Sequence, residues 1–127
     1  MKYLGIDYGT KKIGLALSDD GGSIAFPHSV MRNEEGLRDE LEKILDTEGI
    51  QHVVIGHSLS MRGEENPVME EAHGFKEGLE RDGYTVYLEP EFFTTVQAKR
   101  NTRDAMADAS AAALILQSFL DRKGNET

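Results

Sequence analysis

Two short apolar runs, Lys2–Asp7 (KYLGID) and Ile13–Ser18 (IGLALS), flank the turn-forming segment Gly9-Thr10-Lys11-Lys12. Apolar runs on either side of a glycine-containing turn predict an antiparallel hairpin. Gly21-Gly22 breaks the chain before Ile24–Val30, which reads as a third strand. Pro27 within it calls for an edge position, where a missing N–H is tolerated. The period then changes. Leu37, Leu41, Ile44 and Leu45 recur at helical spacing, with Asn33 as the expected N-cap and Gly49 as the stop. His52–Ile55 is a short β-branched strand ending at Gly56, which opens a polar loop through Asn66. Asn66-Pro67 starts a second helix, striped by Val68, Ala72, Phe75 and Leu79 and ended by Gly83.

Thr85–Leu88 is the fifth strand, and Pro90 is expected to take Glu91 out of the sheet ladder. Thr95–Arg103 reads as a short helix. Asp108–Arg122 reads as a longer one, burying Ala112, Ile115, Leu116, Phe119 and Leu120. Lys123–Thr127 is a polar tail expected to fray. The order β-β-β-α-β-α-β-α-α predicts an α/β fold, a five-stranded mixed sheet with helices on its faces. The sheet would consist of a three-strand antiparallel meander plus two parallel strands. Right-handed crossovers bring the later strands beside the first, which becomes central. A chain of 127 residues can bury one respectable core. The expected organisation is therefore a single domain over 1–122 with a tail over 123–127.

Composition excludes several chemistries. With no cysteine there is no disulfide framework, thiolate metal site or cysteine nucleophile. No apolar run reaches membrane-spanning length and no secretory pattern opens the chain, so the expectation is a cytoplasmic protein without a membrane partner. Lys and Arg number 14 against 23 Asp and Glu, a formal net charge of −9. A nucleic-acid binder of this charge needs a local basic patch. The acids crowd Glu34–Glu48 and Glu64–Asp82, whereas Thr94–Arg103 holds Lys99, Arg100 and Arg103 with no acid.

Asp7 closes the first run, in what should be the central strand. A carboxylate there needs pairing, hydrogen bonding or a metal; serving the hairpin turn is an equally good reading of it alone. Asp7-Tyr8-Gly9-Thr10 also looks like the phosphate loop of actin-like ATPases, but those clamp nucleotide between two domains. Glu91 follows the fifth strand, at the side where parallel strands present their C-terminal ends. It competes with a bland reading as a solvated loop acid. Glu89 shares its parity and is read as a surface residue. Asp108 opens the last helix, where a capping role would explain it equally well. If the three acids converge they repel one another unless a cation joins them, and oxygen-only ligation suits Mg²⁺ or Mn²⁺. Such ions serve phosphodiester chemistry. The histidines show no metal-ligand spacing; His52 and His73 are read as structural or surface residues.

At this point the sequence resembles the YqgF/RuvX family of Holliday junction resolvases and pre-16S rRNA nucleases. The matching pieces run in the family's order from Leu4 to Leu120: Gly5-Ile6-Asp7-Tyr8-Gly9-Thr10-Lys11-Lys12-Ile13-Gly14, Val54-Ile55-Gly56 with Met61-Arg62-Gly63, Glu91-Phe92-Phe93-Thr94-Thr95, and Asp108 leading into Leu114–Leu120. The resemblance implies an RNase H-like fold, with catalytic and metal-binding acids at Asp7, Glu91 and Asp108. It implies metal-dependent hydrolysis of structured RNA, most directly at the 5′ end of a 16S rRNA precursor in ribosome biogenesis. Two positions depart from the family's Asp-Glu-Arg-Leu-Thr-Thr: Pro90 stands for its first Asp and Phe92 for its Arg, which could clamp phosphate bidentately. Nucleic-acid contacts then fall to Lys11, Lys12, Arg62, Thr94, Thr95, Lys99, Arg100 and Arg103, with Phe92 or Phe93 available to stack on a base. The alternatives are a non-catalytic RNA- or ribosome-associated module and a resolvase acting on four-way DNA. The expected assembly is a monomer or weak homodimer.

Overall fold

The computed structural model describes residues 1–92 and 107–124. Five strands, β1 (Tyr3–Tyr8), β2 (Lys12–Ser18), β3 (Ala25–Arg32), β4 (His52–Leu59) and β5 (Thr85–Phe92), form one sheet in the order β3-β2-β1-β4-β5. The first three pair antiparallel, and β1–β4 and β4–β5 pair parallel. This is the expected mixed sheet with β1 at its centre. The helices are α1 (Leu37–Glu48), α2 (Met69–Arg81) and α3 (Ala107–Gly124). The short helix expected over Thr95–Arg103 lies outside the described residues.

The two-residue period of the strands divides the core. Leu4, Ile6, Ile13, Leu15, Val53 and Ile55 face one way and pack with Leu37, Leu41 and Leu45 of α1 and Leu79 of α2. Tyr3, Ala16 and Val54 face the other way, against Ala112, Ile115, Leu116, Phe119 and Leu120 of α3. Pro27 lies on edge strand β3, opposite Ala16, where the β2–β3 register shifts. An edge and a bulge are the two settings that spare a proline its missing donor.

The α3 face of the sheet is lined with small residues. A Cβ placed on Gly5 would come within 2.7 Å of Leu116 Cβ and 3.0 Å of the Ala112 carbonyl. One on Gly14 would lie 1.9 Å from the Asp108 carbonyl oxygen, and one on Gly56 2.6 Å from Ile115 Cδ1. Glycine at these positions lets helix and sheet approach closely.

Several local expectations need correction. Asn33 does not cap α1: Gly36, with φ 90°, precedes the helix and no side chain caps it. Asn33 instead donates from Nδ2 to the Gly9 carbonyl at 2.8 Å, fastening the β1–β2 turn. Gly49 ends α1 in the left-handed region, as expected. β4 does not stop at Gly56 but runs to Leu59, because β5 extends beside it through Phe92. Pro90 pairs within that ladder opposite His57, and β5's edge position accommodates it. Helix α2 proper begins at Met69, yet Asn66 Oδ1 still accepts from the Val68 N–H at 3.0 Å in the turn before it. Met69 is fully buried, whereas the expected Val68 is only partly so. The first two residues of the expected tail are helical, and 125–127 lie outside the described residues. α3 continues through Gly124, and the Lys123 ammonium lies 4.9 Å from the centre of the Tyr3 ring.

Gly14→Ala must push the Asp108 backbone off β2, and is expected to cost about 1–3 kcal/mol through overpacking. Gly74→Ala, inside α2 with nothing within 4 Å, should instead stabilise by about 0.5–1 kcal/mol. Urea unfolding of both variants checks the contrast.

Candidate active site

Alternation along β1 turns Asp7 toward α3, on the same face as Tyr3 and Gly5, and its cross-strand partner is Gly14. The backbone of Asp108 lies directly over Gly14, so the start of α3 comes down beside Asp7. On the other side, Ile6 pairs with Ile55 in parallel register, which places Gly56 of β4 beside Asp7. Glu91 Oε2 lies 3.1 Å from where a Cβ on Gly56 would sit, so that glycine clears space for the carboxylate. Asp7, Glu91 and Asp108 are thus gathered on the α3 face at the C-terminal ends of the parallel strands.

Electrostatics register this gathering. The Asp7 carboxyl is pushed up to about 7, first by burial and then by the charges of Glu91 and Asp108. Burial also raises the Glu91 carboxyl. Neither acid has a basic partner among the ion pairs of the described residues. The three carboxylates form an open cluster, with donor atoms not all within 4.8 Å of one another. A hard cation that keeps several waters and takes few protein oxygens fits this donor set. A soft or nitrogen-seeking metal does not.

Glu89 is not a surface residue. It is 5% exposed, accepts from Ser118 Oγ at 3.0 Å, and is paired with Arg122. It shares Glu91's face, as its parity requires, but its partners on α3 make it a tether between sheet and helix. Ser118 and Arg122, four residues apart, share one face of α3, but nothing in that spacing points to Glu89 as their partner.

The expected phosphate-contacting residues divide. Lys11 and Lys12 are exposed in and beside the β1–β2 turn, and Arg62 is exposed in the turn after β4. Both turns lie at the sheet end where β1 and β4 finish, the same end as Asp7 and Glu91. Phe92 is 53% exposed there. Thr94, Thr95, Lys99, Arg100 and Arg103, and Phe93 with them, lie outside the described residues.

The histidines depart from their expected roles in one case. His52 is structural, with Nδ1 3.0 Å from the Tyr87 hydroxyl and its ring against Tyr3 and Tyr87. His73, however, meets His57 and Glu65: each histidine Nε2 faces Glu65 Oε2, at 2.8 and 2.6 Å. Their hydrogen bonds hold the Glu65 carboxyl below its ordinary range. No local spacing rule links a strand, a loop and a helix, so these residues could not be joined by sequence pattern.

A mixed five-stranded sheet in the order β3-β2-β1-β4-β5, covered on one face by α3, is the RNase H-like fold. Structural similarity supports that class. The T. thermophilus RuvC in complex with a Holliday junction substrate superposes with a TM-score of 0.56 at 19% identity, covering 98% of this chain and 97% of that one. The fowlpox virus Holliday junction resolvase gives 0.58 at 11% identity, covering 96% and 99%. Residues 1–122 match the family described as "RuvX: Holliday junction resolvase", and the chain belongs to that family. Relatives from Anaplasma marginale and Nitratidesulfovibrio vulgaris (strain DSM 19637 / Miyazaki F) are 40% and 39% identical. They cover 94% and 95% of this chain and 84% and 94% of their own lengths, and both carry the name "Putative pre-16S rRNA nuclease".

In the metal-free protein, Asp7 keeps its proton up to about pH 7, whereas the unfolded chain releases it near the ordinary 3.8. Between those values the native state binds more protons, so this group's contribution to stability falls as pH rises. Asp7→Asn removes that dependence. The variant's stability relative to the parent should grow between pH 4 and pH 7.5, by up to about 4 kcal/mol. Urea unfolding in the presence of chelator measures it, and a difference that stays flat with pH would contradict the assignment.

Proposed function

We propose that this protein is a metal-dependent nuclease that hydrolyses phosphodiester bonds in structured RNA, with a 16S rRNA precursor as its substrate. The observation that carries the reading is the convergence of Asp7, Glu91 and Asp108 on the α3 face of the sheet, Asp108 over Gly14 opposite Asp7 and Glu91 beside Gly56; the upward push on the Asp7 carboxyl accompanies it. Carboxylates gathered in this way are suited to a divalent cation that takes oxygen ligands. The names of the relatives supply the RNA class.

In this reading Asp7, Glu91 and Asp108 hold Mg²⁺ or Mn²⁺. When bound, the cation supplies positive charge at the scissile phosphate and lowers the cost of the developing oxyanion. Asp7 is the central carboxylate, fixed by the sheet. Glu91 reaches in from β5 and Asp108 from the first turn of α3. The rigid elements beneath these side chains limit the reorganisation needed to engage substrate. Lys11, Lys12 and Arg62 contact backbone phosphates at the rim, where each contributes salt-dependent affinity. Thr94, Thr95, Lys99, Arg100 and Arg103 extend that contact surface on the strength of their sequence alone. Phe92 occupies the position of the family's arginine and offers a stacking face in place of a phosphate clamp.

Residues 1–122 work as one domain, as a monomer or weak homodimer in the cytoplasm. Among the described residues no helix is long and apolar enough to cross a membrane. The family's description favours a second reading, resolution of four-way DNA junctions, which would require two sites presented together.

Cleavage assays on a 16S rRNA precursor and a four-way DNA junction, at matched salt and with Mg²⁺ or Mn²⁺, distinguish the readings. The expected result is metal-dependent cutting of the RNA, with Asp7→Asn or Glu91→Gln slowing it at least about 100-fold, a loss of the size caused by removing one transition-state electrostatic group. Asp7→Asn cutting at the parental rate overturns the catalytic assignment. Binding of the RNA without cleavage under every metal condition would assign a non-catalytic role.

A further inference from the structure

On the face of the sheet opposite the acids, three side chains from separate parts of the chain converge. His57 lies on β4 with the parity of Val53 and Ile55, so its ring points toward the α1–α2 side. His73 lies on α2. Glu65 comes from the loop between them, and its position is set by the backbone. After β4 the chain turns over Ser60–Gly63, with Gly63 at φ 84° and its N–H donating to the Ser60 carbonyl. It then returns alongside itself. Leu59 and Glu65 form an isolated bridge, and the Asn66 N–H donates to the Ser58 carbonyl at 2.9 Å. This return delivers the Glu65 carboxylate over His57 and against His73.

The geometry is convergent. Both Nε2 atoms address the same oxygen, Glu65 Oε2, at 2.6 and 2.8 Å, and one donor atom from each of the three residues lies within 4.8 Å of the others. The rings are edge to face with centroids 6.2 Å apart, so their nitrogens approach from different directions. Among the described residues this is the one trio of histidine and acidic groups so arranged. All three are accessible, with side-chain exposures of 25%, 44% and 39% for His57, Glu65 and His73.

We propose that His57, Glu65 and His73 form a second cation site, separate from the carboxylate cluster, that binds a borderline divalent transition metal such as Zn²⁺. Two imidazoles and one carboxylate suit Zn²⁺ and its neighbours, and are poor ligands for Mg²⁺, which demands oxygen. Three protein ligands leave a coordination position for water or an added ligand. Without metal, each Nε2–H donates to Glu65. On binding, the Nε2 lone pairs turn to the ion, the neutral rings carry their protons on Nδ1, and any imidazolium proton is released to solvent. The ion would then cross-link β4, the loop return and α2. That ties down the Ser60–Gly63 turn that carries Arg62, so occupancy of this site would stiffen one edge of the nucleic-acid surface.

The test uses tag-free full-length protein stripped with chelator, in the Asp7→Asn background so that the carboxylate cluster is weakened. Zn²⁺ titration by calorimetry at pH 7.5 should give one ion per chain with a Kd of about 10 µM or tighter. Ring resonances of His57 and His73, and no other histidine, should shift. Co²⁺ should give visible absorption of a four- or five-coordinate centre. His73→Gln, and separately His57→Gln, should weaken binding at least about tenfold, while millimolar Mg²⁺ should not displace the ion. Circular dichroism confirms that each variant is folded, which the surface placement of these side chains favours. Absence of stoichiometric Zn²⁺ binding, unchanged affinity in both histidine variants, or displacement by Mg²⁺ would overturn the proposal. None of these results depends on nuclease activity, so the site can fail while the function proposed above stands.

Discussion

The contact between helix α3 and the sheet holds the rest of the molecule in register. At Gly5, Gly14 and Gly56 the helix comes so near that a single added carbon would meet Leu116 Cβ, the Asp108 carbonyl or Ile115 Cδ1. Close packing of this kind gathers many weak dispersion contacts and leaves little freedom to slide. It also fixes where the first turn of α3 comes down, and therefore where Asp108 stands relative to Asp7. At the far end of the helix, Ser118 and Arg122 grip the buried Glu89 carboxylate, which sets the rotation of α3 against β5. A helix anchored by steric fit at one end and by a charge-assisted contact at the other is a firm support for the Asp108 carboxylate.

That support carries an electrostatic conflict. The chain has a formal charge of −9, and it packs Asp7 close to two further acids in a partly buried place. The metal-free fold answers by holding a proton on Asp7 near neutrality. In the function proposed above, a divalent cation at this point would relieve both the repulsion and the protonation. The opposite face poses no such conflict. There His57 and His73 each donate a hydrogen bond to Glu65, and the same three groups have the donor chemistry of a nitrogen-preferring metal.

Much of the fold was legible because periodicity reports on faces. The three-strand meander, the central place of β1, the edge position of Pro27 and the buried stripe of α3 follow from apolar spacing and glycine breaks. The structure departs from local signals where a distant partner answers them. Asn33 has the side chain of a helix cap but spends its amide on the Gly9 carbonyl, across the hairpin turn. Gly56 looks like the end of a strand, yet β5 continues beside it and carries Pro90 and Glu91 into the ladder. Glu89 reads as one acid among many until Arg122 is folded against it. The placement of the three acids is readable in the same partial way: Asp7 from its strand, Glu91 from the strand end, and Asp108 only through family resemblance, because its place at a helix start has an ordinary explanation.

By itself the sequence determined the alternation of strands and helices, the family, and the choice of acids that could share a cation, since these depend on residue type and short-range spacing. The tertiary structure alone decided how closely those acids approach. It decided that Glu89 is a tether while Glu91, two residues on, faces the site. It also decided that His57, Glu65 and His73 meet at all. The physical reason is common to the three cases. Distance, burial and the charge of neighbours arise from chain crossings between residues remote in sequence, and these quantities set the proton affinity of a carboxylate and the ligand set of a metal.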